Sequence, residues 1–254
     1  QQQIVLPKDP QSEADKNLQL KTFNVSHCGE NSAMIFLIDT SGSMKFANKM
    51  ENTKDAMRYF VDQLGGKSVI GIYTFNKDVD EEIPISFYKD VKTDVADAID
   101  DMKPEGHTRT RDGMALVRTE LRKVIDEKAY PGYKYSLILM TDGVPEVPPD
   151  QPRNCYVTYP DPNTAPALRC FAEEQDPRVP NDIAEEIKDR GTDIYSVNIY
   201  SPSYASDAFM FPYLEGLLKE IASTPTESHY YSSINAGNLK KILETVVQDI
   251  CEND

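Results

Sequence analysis

Three short stretches of this sequence carry oxygen-bearing side chains at spacings that suit a hard divalent cation. The first, Asp39-Thr40-Ser41-Gly42-Ser43, offers one carboxylate and two well-spaced serine hydroxyls, with a glycine that lets the chain turn tightly between them. The second, Gly106-His107-Thr108, adds another hydroxyl, and the third, Thr141-Asp142-Gly143, adds a second carboxylate. A cation such as Mg²⁺ takes oxygen ligands in an octahedron at about 2.1 Å and commonly keeps some of its water. A small number of carboxylates mixed with neutral hydroxyls is the donor set it needs. Taken alone, the first stretch is equally the Ser/Gly turn that ends many strands. His107 fits poorly among hard oxygen donors and reads as an exposed loop histidine.

Whether the three stretches meet depends on the elements that carry them. Ala33–Asp39 is a continuous apolar run of strand length, as expected of a central parallel strand buried on both faces. Ser68–Phe75 and Tyr135–Thr141 have the same character, and Thr192–Tyr200 reads as a further strand. Asp78–Ile85 reads as an edge strand, because Pro84 cannot donate to a ladder. A short strand is expected near His229–Tyr231. Between these runs, apolar residues recur at helical spacing: Met50, Ala56, Met57, Phe60, Val61 and Leu64 first, stopping at Gly65-Gly66. Further helices are predicted over Val91–Met102, Asp112–Glu127, Asn181–Arg190, Leu214–Ala222 and Ala236–Ile250. The alternation predicts an α/β fold: a doubly wound, mostly parallel central sheet with one antiparallel edge strand and helices on both faces. Ligands of such sheets bind beyond the carboxyl ends of the strands, where the strand order reverses. The loops after Asp39, around Gly106–Asp112 and after Asp142 are therefore expected on one rim.

In that order and on those elements, Asp39, Ser41, Ser43, Thr108 and Asp142 resemble the metal-ion-dependent adhesion site of the von Willebrand factor type A family. Its pattern is Asp-x-Ser-x-Ser, a distant Thr and a distant Asp-Gly. The resemblance covers roughly residues 30–250 and implies a Rossmann-like fold. The family often has Gly-Gly-Thr in the second loop, where this chain has Gly106-His107-Thr108-Arg109-Thr110; Thr108 fits best, because Asp112-Gly113 follows at the usual interval, and Thr110 is the fallback. The resemblance implies that Ser41, Ser43 and Thr108 contact the ion while Asp39 and Asp142 act directly or through water. It implies Mg²⁺ as the first choice, with Mn²⁺ or Ca²⁺ as alternatives. A cation held by few carboxylates keeps positive character, so an acidic residue of a protein ligand can complete its shell. Some relatives also shift their last helix, here Ala236–Ile250, when the Thr and Asp exchange direct and water-mediated roles.

Composition narrows the setting. The 254 residues carry 42 acidic against 27 basic side chains, a net charge of −15. That balance argues against nucleic acid and against docking on anionic lipid, and no apolar stretch reaches the roughly 18 residues of a membrane span. Four cysteines allow three pairings. The simplest are Cys28–Cys251, at either end of the structured region, and Cys155–Cys170, bracketing a proline-rich stretch; free thiols are the alternative. The chain-entropy model gives roughly 5 and about 3 kcal/mol for the two closures. Such bridges point to an extracellular compartment, as does, weakly, the glycosylation pattern Asn24-Val25-Ser26. The expected organisation is a polar tail over 1–27, a von Willebrand factor A-type domain over 28–251 with an insertion at about 144–180, and a tail over 252–254. The chain opens on Gln1 without a signal-peptide core and reads as a piece of something longer.

Partner choice is expected to lie in what surrounds the ion. The insertion carries Tyr156 and Tyr159, and Ser201–Tyr213 carries Tyr204, Phe209, Met210, Phe211 and Tyr213. Aromatics and Met on a loop are typical interface anchors, though packing beneath the loops explains them equally well. Arg109 and Arg111 could add positive charge for an acidic ligand, or be ordinary solvated residues. Three function classes follow. The first is a non-enzymatic adhesion or recognition module on a cell surface or pilus, bacterial in the narrower form, meeting an extracellular-matrix or host surface protein. The second is an assembly or regulatory subunit, like the A-domain partners of chelatases or channels, which measurement of free thiols would discriminate. The third is an Mg²⁺-dependent enzyme: haloacid-dehalogenase phosphatases also place an Asp nucleophile after a strand. They need a second Asp two residues on, where this chain has Ser41.

Overall fold

A computed structural model of the chain describes residues 31–146, 179–201, 205–233 and 236–252. Among these run strands β1 (Ser32–Asp39), β2 (Val69–Phe75), β3 (Val79–Phe87), β4 (Lys134–Thr141), β5 (Thr192–Ile199) and β6 (Tyr230–Ser233). The helices are α1 (Lys49–Val61), α2 (Tyr88–Asp101), α3 (Thr110–Asp126), α4 (Asn181–Lys188), α5 (Ala205–Ile221), α6 (Thr226–His229) and α7 (Ala236–Glu252). The strands form one sheet in the order β3-β2-β1-β4-β5-β6. All neighbours are parallel except β2 and β3.

The apolar runs explain this order. Every residue of β1 and β2 is buried, and β4 is buried from Tyr135 onward. A strand without a solvent face must be covered by helices on both sides. One layer packs Met50, Met57 and Phe60 of α1, Val95 and Ile99 of α2, and Leu239, Leu243 and Val246 of α7 against Phe36, Ile38 and Ile138. The opposite layer sets Met114, Val117 and Leu121 of α3, Ile183 and Ile187 of α4, and Leu214 and Leu218 of α5 against Ile35, Leu37, Leu139 and Ile194. Gly113 permits a close approach here. A Cβ added to it would stand 3.0 Å from Leu37 Cδ1 and 3.2 Å from Phe75 Cβ.

The edge behaves as Pro84 requires. Among the described residues β3 pairs only with β2, and the ladder shifts register around Ile72, so the proline sits where no bond to that strand is needed. The strand order reverses between β1 and β4, and Asp39 and Asp142 lie at the carboxyl ends of those two strands.

Two local expectations are corrected. Ser201–Tyr213 is not a loop throughout: α5 begins at Ala205 and carries Pro212 inside it. A helix is expected there only from Leu214, but packing of Leu214, Leu217 and Leu218 holds the helix through Pro212. The turn after Ser41 is also more elaborate than a Gly/Ser bend: a 3₁₀ segment spans Gly42–Asn48, with Ala47 and Asn48 both left-handed at φ 53° and 56°. The tail over 1–27, Cys28, Cys155 and Cys170 lie outside the described residues, and Cys251 enters only through the backbone of α7. No helix among the described residues is long and apolar enough to cross a membrane.

Candidate metal centre

β1 delivers Asp39 to the rim with its side chain fully buried. One carboxylate oxygen, Oδ1, accepts the backbone N–H of Ser41 at 2.7 Å, and the other, Oδ2, accepts the Thr141 hydroxyl at 2.5 Å. The chain then turns so that Ser41 Oγ and Ser43 Oγ stand 2.9 Å apart, and Ser43 Oγ donates to Asp142 Oδ1 at 2.7 Å. A continuous oxygen chain thus runs from the β1 loop to the β4 loop. Asp142 is buried as well, and its Oδ2 accepts Lys49 Nζ at 2.6 Å.

The second loop closes the arrangement. Thr108 is buried, and a Cβ added to Gly143 would fall 2.9 Å from Thr108 Oγ1 and 3.6 Å from Asp39 Oδ2. The Thr108 side chain and the Asp39 carboxylate therefore both border Gly143, whose missing Cβ leaves the space between them clear. Backbone bonds hold the loops together: Glu105 N–H to Thr40 C=O at 2.8 Å, Gly42 N–H to Gly106 C=O at 3.1 Å, and Glu146 N–H to Thr108 C=O at 2.7 Å. Asn76 braces the floor, its Nδ2 donating to Thr40 Oγ1 at 3.0 Å.

The five positions named from sequence are thus gathered at one rim, where the strand order reverses. Thr110, the fallback for Thr108, opens α3 and is buried, its Oγ1 without a hydrogen-bond partner among the described residues. His107 sits half exposed with Nδ1 3.0 Å from Glu146 Oε2. The guanidinium of Arg109 is engaged within the loop, with Nε donating to Asp112 at 2.8 Å and Nη1 to the Lys77 carbonyl at 2.9 Å. Arg111 forms a two-pronged pair with Asp182 at 2.6 and 2.8 Å. Phe211 leans on Tyr200, ring centroids 4.5 Å apart. Tyr156, Tyr159 and Tyr204 lie outside the described residues, and Phe209 is described only as backbone of α5.

Two contributors escaped sequence reasoning. Thr141 holds Asp39 in place, and Lys49 pairs with Asp142. Lys49 was legible in principle. With Thr53, Ala56 and Phe60 it follows the spacing of the buried face of α1, where a lysine needs a partner.

The electrostatics fit a cation. Burial first, and then the charge of Asp142, push the Asp39 carboxyl up from 3.8 to about 7, against the opposing hydrogen bonds from Ser41 and Thr141. An anion so disfavoured is what a bound cation relieves. Among the described residues no three His, Cys, Asp or Glu side chains converge to hold a metal, so an ion here would rely on the hydroxyls of Ser41, Ser43 and Thr108 beside the two carboxylates. That is the hard-oxygen donor set of Mg²⁺-like ions rather than a thiolate or imidazole site.

A stability prediction follows from Asp39. Between its unfolded pKa and about 7 the folded protein binds a proton that the unfolded chain has released, so stability falls as pH rises through that window. In EDTA, melts at pH 5 and pH 8 are expected to differ in this sense by about 2–4 kcal/mol. Saturating Mg²⁺ is expected to shrink the difference.

Known proteins share this architecture. The family model for the von Willebrand factor type A domain matches residues 33–159, half of the chain. No curated protein sequence matches. The proximal thread matrix protein 1 of the mussel byssus, with a zinc-occupied MIDAS motif, superposes with a TM-score of 0.60 at 21% identity, covering 88% of this chain and 49% of its own. This chain therefore spans about half the length of that protein. The von Willebrand factor domain of the type V pili tip protein Mfa5 from Porphyromonas gingivalis gives 0.62 at 13% identity, covering 89% and 96%. The pilus adhesin SpaC from Lactobacillus rhamnosus GG, in an open conformation, gives 0.61 at 19%, covering 88% and 30%. With the sheet order, the rim and the family match in agreement, this chain belongs to the von Willebrand factor type A domain family.

Proposed function

We propose that this chain binds a divalent cation through Asp39, Ser41, Ser43, Thr108 and Asp142, and uses it to capture an acidic residue of a protein ligand. The observation that carries the reading is the oxygen chain Ser41–Ser43–Asp142 beside the buried Asp39, drawn from loops whose backbones are hydrogen-bonded together. When bound, the ion supplies a positive centre to which a carboxylate can coordinate. The protein's part is to fix the donors, keep Asp39 dry, and leave the outer side of the site to the partner.

Mg²⁺ is the first choice of ion by its preference for oxygen donors, with Mn²⁺ and Ca²⁺ as alternatives. The zinc-occupied mussel relative shows that such a motif accepts a divalent metal in that protein. The setting we favour is extracellular, on a cell surface or pilus, as a non-enzymatic adhesion module; the pilus tip protein and the pilus adhesin among the structural neighbours support it. An extracellular-matrix or host surface protein is the kind of ligand this implies, and the two cysteine pairs would serve the same oxidising setting.

The test is calorimetric titration with Mg²⁺, Mn²⁺ and Ca²⁺, followed by binding to a panel of immobilised matrix proteins with and without EDTA. Saturable binding of at least one ion and EDTA-sensitive adhesion are expected. Adhesion that survives both EDTA and Asp39→Ala would sink the metal-dependent form of the idea.

A further inference from the structure

We propose that Lys49 is a built-in counter-charge of the metal centre, which weakens the hold on the cation and strengthens the cation's hold on an anionic partner. The proposal rests on the divalent-cation reading above and adds to it a residue that the five-position pattern does not contain.

Lys49 is 3% exposed, a rare state for a lysine. Its ammonium meets Asp142 Oδ2 at 2.6 Å, while the other oxygen of the same carboxylate faces Ser43 at 2.7 Å. The carboxylate is therefore divided, one oxygen toward the ammonium and the other toward the hydroxyl chain where the ion would sit. The backbone that brings Lys49 there is costly. Ala47 and Asn48, immediately before it, are both left-handed, a conformation disfavoured for residues with a Cβ, and most of all for one such as Ala that gains no local hydrogen bond from it. Lys49 also opens α1, the positive end of the helix dipole, where a cation is disfavoured. A lysine held inside, after a strained turn and at the wrong helix end, sets its charge directly against Asp142.

Charge counting gives the consequence. Asp39 and Asp142 balance the formal charge of a divalent ion, so without a further cation the pull on a partner's carboxylate is confined to the ion's own open face. Lys49 adds one positive charge to the same buried group, so the loaded centre attracts an anion more strongly, and the empty centre attracts the metal less, than either would without it.

The experiment compares wild type with Lys49→Met, Lys49→Gln and Lys49→Arg, the full chain being used throughout. Mn²⁺ affinity is measured by calorimetry, and the Mn²⁺-loaded proteins are titrated with acetate while displacement of metal-bound water is followed by proton relaxation. Lys49→Met and Lys49→Gln are expected to bind Mn²⁺ more tightly by roughly tenfold and acetate more weakly by a similar factor. Lys49→Arg, which keeps the charge, is expected to stay near wild type in both. Lys49→Gln keeps a hydrogen-bond donor for Asp142 and covers the case in which Lys49→Met does not fold. A merely structural lysine would weaken both affinities together when removed. Wild type that binds no Mn²⁺ would overturn the cation reading, and this one with it. Wild type that binds Mn²⁺, with the neutral variants equal or weaker for the metal, would overturn the counter-charge alone.

Discussion

Asp39→Asn is expected to reduce divalent-cation affinity by at least roughly 100-fold, since even partners that only orient metal ligands cost 10–100-fold when lost. The variant is isosteric, and both bonds of the native carboxylate have a counterpart: the amide oxygen can accept from Ser41 N–H, and the Thr141 hydroxyl can reverse to accept from the amide nitrogen. The fold should therefore survive. Without an ionisable group at this position, the pH-dependent loss of stability in EDTA should flatten, and the metal-free variant at pH 8 should be at least as stable as wild type. Calorimetric titration with Mn²⁺ and melts at pH 5 and pH 8 check both halves. Retained affinity would move the site elsewhere, and a retained pH slope would mean that a group other than Asp39 sets it.

The second large effect belongs to packing. Phe36 lies in the middle of β1, fully buried, with its ring edge-on to Phe60 of α1 at 4.9 Å between centroids. Removing it opens a void that the sheet cannot close, because β1 is held by β2 on one side and β4 on the other. Phe36→Ala is expected to cost about 3–5 kcal/mol, read as a lowered midpoint in urea unfolding with Mg²⁺ present. The same void would lie beneath α1, whose first residue is Lys49. Metal affinity measured well below the melting temperature should nevertheless change much less than stability, since Phe36 packs in the core, three residues back along β1 from Asp39.

Much of this was readable in the chain, for identifiable reasons. β1, β2 and β4 are runs with no polar face, which only a doubly covered parallel sheet can accept. Pro84 marked the edge, and the Asp, Ser and Thr of the rim were placed because strand ends are where such sheets put their loops. The rest depended on tertiary packing. The first turn of α2 was hidden because Phe87 and Tyr88 continue the strand pattern, and Tyr88 is buried by the fold rather than by local periodicity. The early start of α5 was masked by a cluster of aromatics that read as a loop following a strand end. Lys49 was overlooked because a lysine is solvated by default, and its pair with Asp142, just past a strand far away in sequence, is a tertiary contact that no local pattern announces. Arg109 illustrates the converse: a charge that looked available to a ligand is spent on Asp112 and a backbone carbonyl.

The backbone bonds from Glu105 to Thr40, Gly42 to Gly106 and Glu146 to Thr108 also bear on how fast the centre could load. They align the three loops before an ion arrives, so under the proposed function no loop has to fold around the metal. The slow event is then the cation's own loss of water, which Mg²⁺ undergoes reluctantly. Ca²⁺ should accordingly enter faster than Mg²⁺ at equal concentration, whichever is held more tightly at equilibrium. The first ion to occupy the centre in a mixed medium need not be the one that finally resides there.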